Sequence, residues 1–130
     1  MANELILIVE DNEKNRRLLR DILQVNGYQT LESETAEEGI TIARQSQPAL
    51  VLMDIQLPGI NGIEARHRLR ADPETAHIPV VAVTASAMLH DVAEIETAGF
   101  DGFQSKPIDI KQIIAVIREI IEKSGNGGVS

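Results

Sequence analysis

The chain has no cysteine and no tryptophan, and only Tyr28, Phe100 and Phe103 carry aromatic rings among its 130 residues. The absence of cysteine excludes disulfide bonds and thiolate metal sites. The scarcity of aromatic rings disfavours a platform for stacked bases or for a flavin. Because 43% of the residues are nonetheless hydrophobic, the aliphatic side chains suffice to build a sizeable core.

Positive charge is also scarce, since 12 lysine and arginine residues stand against 20 aspartate and glutamate residues, for a net charge of −8. Direct binding of nucleic acid is therefore disfavoured, because a phosphate backbone requires a basic surface. No apolar stretch is long enough to span a bilayer, and the N-terminus shows no secretory signal. We expect a cytoplasmic protein without membrane or nucleic-acid partners.

Short apolar runs alternate with amphipathic segments along the chain. Continuous branched runs are typical of strands buried on both faces of a sheet, and the amphipathic segments predict helices, with Asn12 and Asp109 placed as caps. The predicted strands are residues 5–9, 28–31, 50–53, 79–83 and 102–105. The predicted helices are residues 13–26, from 35 or 36 to before Pro48, 62–71, 88–98 and the segment after 109.

Strict alternation of five strands with five helices predicts an α/β fold with a doubly wound, five-stranded parallel sheet, (β/α)5. The length fits one domain, which we place at residues 1–123. The glycine-rich residues 124–130 have too little apolar content to fold and are expected to form a flexible tail.

Polar side chains follow four of the apolar runs at the predicted ends of the strands. They are Glu10 with Asp11, then Asp54, Thr84, and Lys106 with Pro107. In open parallel sheets these edges meet in one crevice, where ligands bind. Crowded carboxylates need a cation between them, and a lone lysine beside them suggests an incoming anion. The combination indicates Mg²⁺-assisted phosphoryl chemistry.

Mg²⁺ prefers oxygen ligands in octahedral geometry and retains several waters. Asp11, Asp54 and a backbone carbonyl such as that of Gln56 would satisfy it, with Glu10 binding through a water. Mn²⁺ is expected to substitute for it. Asp54 is the candidate nucleophile, because a carboxylate ionised at neutral pH needs no general base.

Each of these residues also has a purely structural interpretation. Aspartates in loops are most often turn formers or caps, although the loop after Asp54 separates it from the next helix. Glu10 and Asp11 suit the positive end of a helix dipole. A threonine at the end of a strand and a solvated surface lysine are both commonplace. Taken singly, each residue is weak evidence of a site.

As an ordered set, the residues resemble the signature of the receiver domain of bacterial two-component response regulators. The strings Ile-Val-Glu-Asp-Asn at 8–12, Leu-Met-Asp-Ile-Gln-Leu-Pro at 52–58 and Val-Ala-Val-Thr-Ala at 81–85 carry the resemblance, together with Phe103 and Lys106. It covers about residues 5–121 and is closest to stand-alone receivers of the DivK type and to receivers of hybrid histidine kinases. It implies a CheY-like sheet with strand order 2-1-3-4-5.

The resemblance also implies roles for individual residues. Asp54 would be the phosphoacceptor, and Glu10, Asp11, Asp54 and the Gln56 carbonyl would bind Mg²⁺. Lys106 would pair with the phosphoryl group. These assignments agree with the chemistry expected from the strand ends.

Switching is implied as well. Thr84 would hydrogen-bond the phosphoryl group, with Ala85 leaving room for it, and Phe103 would be the rotating switch aromatic. Ser86 and Gln56 would flank the path of an attacking water. Pro107 restricts Lys106 to extended geometry, and the isomer of that bond is left open.

The expected phosphodonor is a histidine kinase or a phosphotransfer protein. The expected output is a downstream protein bound by the face formed by the fourth predicted helix, the fifth strand and the last helix. We expect a monomer or weak dimer that acts as a signalling protein and catalyses only its own phosphorylation and slow dephosphorylation. The nearness of Met1 to the first strand favours a single-domain regulator over an excised receiver.

Three other classes of protein fit the sequence less well. A haloacid-dehalogenase-like phosphatase would need a second acid two residues after the nucleophile, where this chain has Gln56. A flavodoxin-like carrier would need hydroxyls and glycine after the first strand, where Glu10 and Asp11 would repel phosphate. A phosphorylation-independent binding module commonly lacks the acceptor or the lysine, and both are present here.

Overall fold

A parallel five-stranded sheet forms the centre of the protein. The structure is a computed structural model that describes residues 4–57, 59–84 and 99–129. The sheet order is β2-β1-β3-β4-β5, with every pair of neighbours parallel, as predicted. The strands are β1 (Leu5–Val9), β2 (Gln29–Ser33), β3 (Leu50–Asp54), β4 (Val80–Thr84) and β5 (Gly102–Ser105).

Four helices lie in the described part of the chain. They are α1 (Glu13–Val25), α2 (Ala36–Ser46), α3 (Gly62–Ala71) and a C-terminal helix (Ile110–Val129). Asn12, Thr35 and Asn61 cap the first three by accepting a backbone N–H three residues on, which satisfies a donor that the helix leaves unpaired. The predicted helix at 88–98 lies outside the described residues.

Most ends agree with the predicted boundaries to within one residue, and two differ by more. β2 was expected to end at residue 31 but pairs with β1 as far as Ser33, because the partner strand extends it through the register Val9 to Ser33. The C-terminal helix continues to Val129, whereas residues 124–130 were expected to form a flexible tail because of their low apolar content. The flexibility of that segment stays a prediction.

Each face of the sheet buries its own aliphatic cluster, because successive side chains of a strand point to opposite faces. α1 and the C-terminal helix cover one face, and α2 and α3 cover the other. The strand residues of the first cluster are Ile6, Ile8, Leu50, Leu52, Val81 and Val83, and those of the second are Leu7, Val9, Val51, Met53 and Val80. No helix within the described ranges is long and apolar enough to cross a membrane.

The register brings the carboxyl ends of the strands to one level. Met53 lies opposite Val9 on one side and Ala82 on the other, and Thr84 lies opposite Ser105. The backbone pairing continues past the last strand, since the Lys106 N–H donates to the Thr84 carbonyl at 2.7 Å. Residues that follow the strands therefore meet at a single edge.

A buried arginine fixes the chain ahead of β5. Arg66 of α3 has no exposed surface, and its Nε and Nη2 donate to the Gly99 carbonyl at 3.1 and 2.8 Å. The Asp101 carboxylate accepts from the Val80 N–H at 2.8 Å and so fastens the start of β5 to the start of β4. These contacts fix the position of β5 and therefore of the residues at its carboxyl end.

Close approach of α3 to the end of β3 requires glycine at position 62. A Cβ there would lie 2.6 Å from the Asp54 carbonyl oxygen and 2.8 Å from the Ile55 Cα, both backbone atoms that cannot rotate away. At Gly102 a Cβ would meet side-chain methyl groups, those of Ile120 at 3.2 Å, Val116 at 3.3 Å and Val81 at 3.8 Å. A side chain at position 62 would therefore disturb the packing more than a side chain at position 102.

We predict that Gly62→Ala destabilises the protein by about 1–3 kcal/mol, the range for inserting a methyl group into a packed site. Because the clash is with backbone atoms, we expect the upper part of this range, which exceeds the roughly 1 kcal/mol that alanine gains in helix propensity. Urea denaturation measures it, with Gly102→Ala as the matched control that changes stability less. Equal stability of wild type and Gly62→Ala would contradict the packing described.

Candidate functional site

Three carboxylates converge at the carboxyl edge of the sheet. One oxygen each of Glu10, Asp11 and Asp54 lies within 4.8 Å of the others. Glu10 follows β1 and Asp54 ends β3, and they are 1% and 4% exposed, whereas Asp11 is exposed. Like charges held so close repel one another, so the arrangement favours a cation among them.

Lys106 supplies one positive charge to this cluster. Its Nζ lies 2.8 Å from Glu10 Oε1 and 3.3 Å from Asp54 Oδ2. The lysine follows β5 at the same edge, and its peptide bond to Pro107 is cis, the isomer that the sequence left open. One ammonium therefore bridges two buried carboxylates that come from different strands.

The pKa values of this group reflect the crowding. Burial raises the pKa of Glu10, and the neighbouring Asp54 adds to the rise, while Lys106 and the Asn12 N–H oppose it. Burial lowers the pKa of Lys106, but the Glu10 and Asp54 carboxylates outweigh burial and leave it raised. Lys106 is thus held as an ammonium, and the buried negative charge is only partly compensated.

Backbone amides orient both buried carboxylates. Asn12 N donates to Glu10 Oε2 at 3.1 Å, and Gln56 N donates to Asp54 Oδ1 at 2.9 Å. The second Glu10 oxygen, Oε1, is close to Lys106 Nζ but has no well-aligned hydrogen-bond donor. The two buried carboxylates are thus oriented by backbone N–H groups and share the charge of Lys106.

This donor set fits Mg²⁺. Hard oxygen ligands from two or three carboxylates, open to solvent on the Asp11 side, match the preference of this ion for oxygen and retained water. Described residues offer no sulfur or imidazole ligand at this cluster. The predicted metal ligands Glu10, Asp11 and Asp54 are therefore together in the structure.

The other predicted residues lie around this edge or outside the described residues. Thr84 ends β4 next to β3 and is buried at 2% exposure. Phe103 is half-buried on β5, opposite Ala82 and three residues before Lys106. The Gln56 N–H reaches Asp54, which places that loop at the site. Ala85 and Ser86 are not among the described residues.

Arg16 of α1 is a neighbour of the site that the sequence did not indicate. Its Nη1 donates to the Glu10 carbonyl oxygen at 3.0 Å. Arg16 stands next to Arg17 in the same amphipathic helix. The sequence pattern therefore does not show which of the two arginines contacts the site. The contact depends on the packing of α1 against β1 and β2, which is a tertiary feature.

Comparison with known proteins agrees with this geometry. The sequence profile of the family described as response regulator receiver domain matches residues 6–118. The chain therefore belongs to the response regulator receiver family, as its resemblance had indicated. Proteins of this family are signalling proteins whose general function is to accept a phosphoryl group.

Among individual proteins, the chain is similar to the polar-differentiation response regulator DivK of Brucella ovis. The two are 42% identical over 116 residues, which cover 89% of this chain and 94% of that protein. DivK of Brucella suis biovar 1 gives the same values. The resemblance to DivK-type receivers is thereby confirmed.

Solved structures show the same fold. A CheY-like receiver domain from Methanospirillum hungatei is 25% identical, with a TM-score of 0.88 and coverage of 97% of this chain and 99% of that one. The receiver domain of a sensor histidine kinase from Pseudomonas aeruginosa is 26% identical, with a TM-score of 0.86 and coverage of 93% and 99%. The latter is described with a magnesium ion in its active-site cleft.

We predict that Asp11→Asn stabilises the metal-free protein, because it removes one of three mutually repelling carboxylates. The gain is at most about 1 kcal/mol, the Coulomb energy of two charges 4 Å apart in water. Urea denaturation with and without Mg²⁺ measures it. At a free concentration of about 100 times its Kd, Mg²⁺ should raise the free energy of unfolding of the wild type by about 2.7 kcal/mol. Asp11→Asn should lose part of this gain.

The control is Asp21→Asn, which removes an exposed carboxylate paired with Arg20 on α1, away from the cluster. Its stability should respond to Mg²⁺ as the wild type does. A metal-free Asp11→Asn protein less stable than the wild type would argue against repulsion as the main effect at this edge.

Proposed function

We propose that the protein is a phosphorylation switch in which Asp54 accepts a phosphoryl group from a phosphohistidine with the help of Mg²⁺. The observation that carries the proposal is the placement of the Asp54 carboxylate, which is buried, bonded to the Gln56 N–H, paired with Lys106 and grouped with two further carboxylates. Acceptance of phosphate is the general function of the family, which supports assigning it to this residue.

In the proposed reaction an Asp54 oxygen attacks phosphorus, the bond from phosphorus to the imidazole nitrogen breaks, and the imidazole leaves with the electron pair. Lys106, already at 3.3 Å from Asp54, would pair with an oxygen of the transferring group. Positioned charge of this kind provides most of what phosphoryl transfer requires. Glu10, Asp11, Asp54 and the Gln56 carbonyl would hold Mg²⁺, whose charge would neutralise the remaining negative charge.

The proposed product is long-lived compared with the intermediate of a phosphatase. A phosphatase of the haloacid-dehalogenase type would place a second acid at position 56, and this chain has Gln56 there. Without a general acid and base, water would attack the acyl phosphate slowly. A slow loss of phosphate suits a signal that must persist until a partner has bound.

The proposed output is a change of surface. The Thr84 hydroxyl, next to Asp54 at the end of β4, would donate to the new phosphoryl group, and Phe103 on β5 would repack in response. The charge added at Asp54 would then shift the equilibrium between two conformations of this surface. A downstream protein would recognise one of the two. The partners would be a histidine kinase or phosphotransfer protein and one output protein, met in the cytoplasm by a monomer or weak dimer.

Replacing the acceptor tests the proposed reaction. Asp54→Asn should reduce labelling by radioactive acetyl phosphate in Mg²⁺ to background, since an amide is not a nucleophile toward phosphorus. Lys106→Met should slow labelling roughly 10²–10³-fold, the usual loss on removing one charge-stabilising group. Asp21→Asn is the control expected to react at the wild-type rate.

Two results would contradict the reaction. Labelling of Asp54→Asn at the wild-type rate would remove Asp54 as the acceptor. A wild type that neither takes up label nor binds beryllofluoride, a mimic of the phosphoryl group, would favour a passive binding module.

Replacing Thr84 separates acceptance from switching. Thr84→Val keeps the branched shape and removes the hydroxyl, so labelling should slow by less than about tenfold, the value of one hydrogen bond. Beryllofluoride should then shift NMR signals around Asp54 but no longer shift those of β5. Thr41→Val, on the exposed face of α2, is the control. Wild-type shifts at β5 in Thr84→Val would exclude Thr84 as the relay.

A further inference from the structure

Arg16 joins the edge strand β2 to the backbone of the carboxylate cluster. Its Nη1 donates to the Glu10 carbonyl oxygen at 3.0 Å. Its Nε and Nη2 form ion pairs with Glu32 at 3.4 Å and with Glu34 at 3.5 Å. The side chain is only 13% exposed, so the guanidinium is held among these partners and is not a solvated surface charge.

The Glu10 peptide is held from both sides. Its N–H donates to the Ser33 carbonyl at 3.0 Å, which ties it to the end of β2, and its carbonyl accepts from Arg16 of α1. Glu10 carries one carboxylate of the cluster, and the next residue, Asp11, carries another. The orientation of this short stretch decides where both carboxylates point.

We propose that Arg16 is a positioning residue for the cation site, fixing the Glu10 peptide so that Glu10 and Asp11 converge on Asp54. The inference rests on the proposed binding of Mg²⁺ by these carboxylates. The bond to the Glu10 carbonyl carries most of the effect. The pair with Glu34 contributes little, because that carboxylate is 69% exposed and exposed ion pairs are weak.

Positioning and simple electrostatics predict opposite outcomes when Arg16 is removed. Arg16 with Glu32 and Glu34 carries a net charge of −1, and without Arg16 the two acids carry −2. By charge alone, Mg²⁺ would then bind more tightly, by about fourfold for a separation on the order of 10 Å in water. Loss of a group that orients metal ligands instead weakens binding, typically about 10–100-fold.

The test measures the Mg²⁺ affinity of the full chain by isothermal titration calorimetry, without a phosphodonor. Arg16→Met should bind Mg²⁺ about 10–100-fold more weakly than the wild type. Arg17→Met is the matched control, because Arg17 is the adjacent arginine of α1 and pairs only with the exposed Glu13, at 2.8 Å, among its described contacts. Its affinity should stay at the wild-type value.

A further variant keeps the inference testable if Arg16→Met folds poorly. Arg16→Lys keeps one donor for the Glu10 carbonyl and should recover part of the affinity. NMR signals of the Glu10 and Asp11 amides should shift in Arg16→Met before Mg²⁺ is added, and should not shift in Arg17→Met.

The outcomes separate this inference from the proposed function. Failure of Mg²⁺ to bind the wild type and Arg17→Met would overturn the proposed function itself. Tight binding by the wild type together with unchanged or tighter binding by Arg16→Met would overturn only the role of Arg16. A lower urea midpoint for Arg16→Met at unchanged Mg²⁺ affinity would assign Arg16 to stability alone and would likewise overturn it.

Discussion

The repulsion among three carboxylates at the edge of the sheet is the constraint on which the rest of the site depends. Glu10 and Asp54 are buried there, and Lys106 compensates them only in part. Charge buried without full compensation lowers stability, and it is kept at sites where a ligand completes the balance. The cluster therefore suits a divalent cation, and Lys106 beside it can pair with an anion.

The parallel sheet makes this crowding possible. Four strands deliver their following residues to the same edge, and hydrogen bonds that continue past the strands keep them in register, as the Lys106 N–H does with the Thr84 carbonyl. Gly62 lets α3 begin directly against the Asp54 backbone. Arg66 and Asp101 fix the opposite end of β5, so that the strand carries Phe103 and Lys106 to a defined position.

Much of this arrangement could be predicted from the sequence, because local patterns determine it. Branched apolar runs located β1, β3 and β4, and the polar residues at the predicted strand ends included Glu10, Asp54, Thr84 and Lys106. Contacts between distant elements could not be predicted in this way. The contact of Arg16 with Glu10 and that of Arg66 with Gly99 depend on helix packing, and the extension of β2 to Ser33 depends on its partner strand.

The central claim is that Asp54 is the residue that carries the phosphoryl group. Borohydride reduces an aspartyl phosphate to homoserine, which marks the modified residue for peptide mass spectrometry. After incubation with acetyl phosphate and Mg²⁺, we expect homoserine at position 54, and none when Mg²⁺ is replaced by a chelator. Homoserine at Asp11 or another aspartate in place of Asp54, or none in the presence of Mg²⁺, would contradict the account.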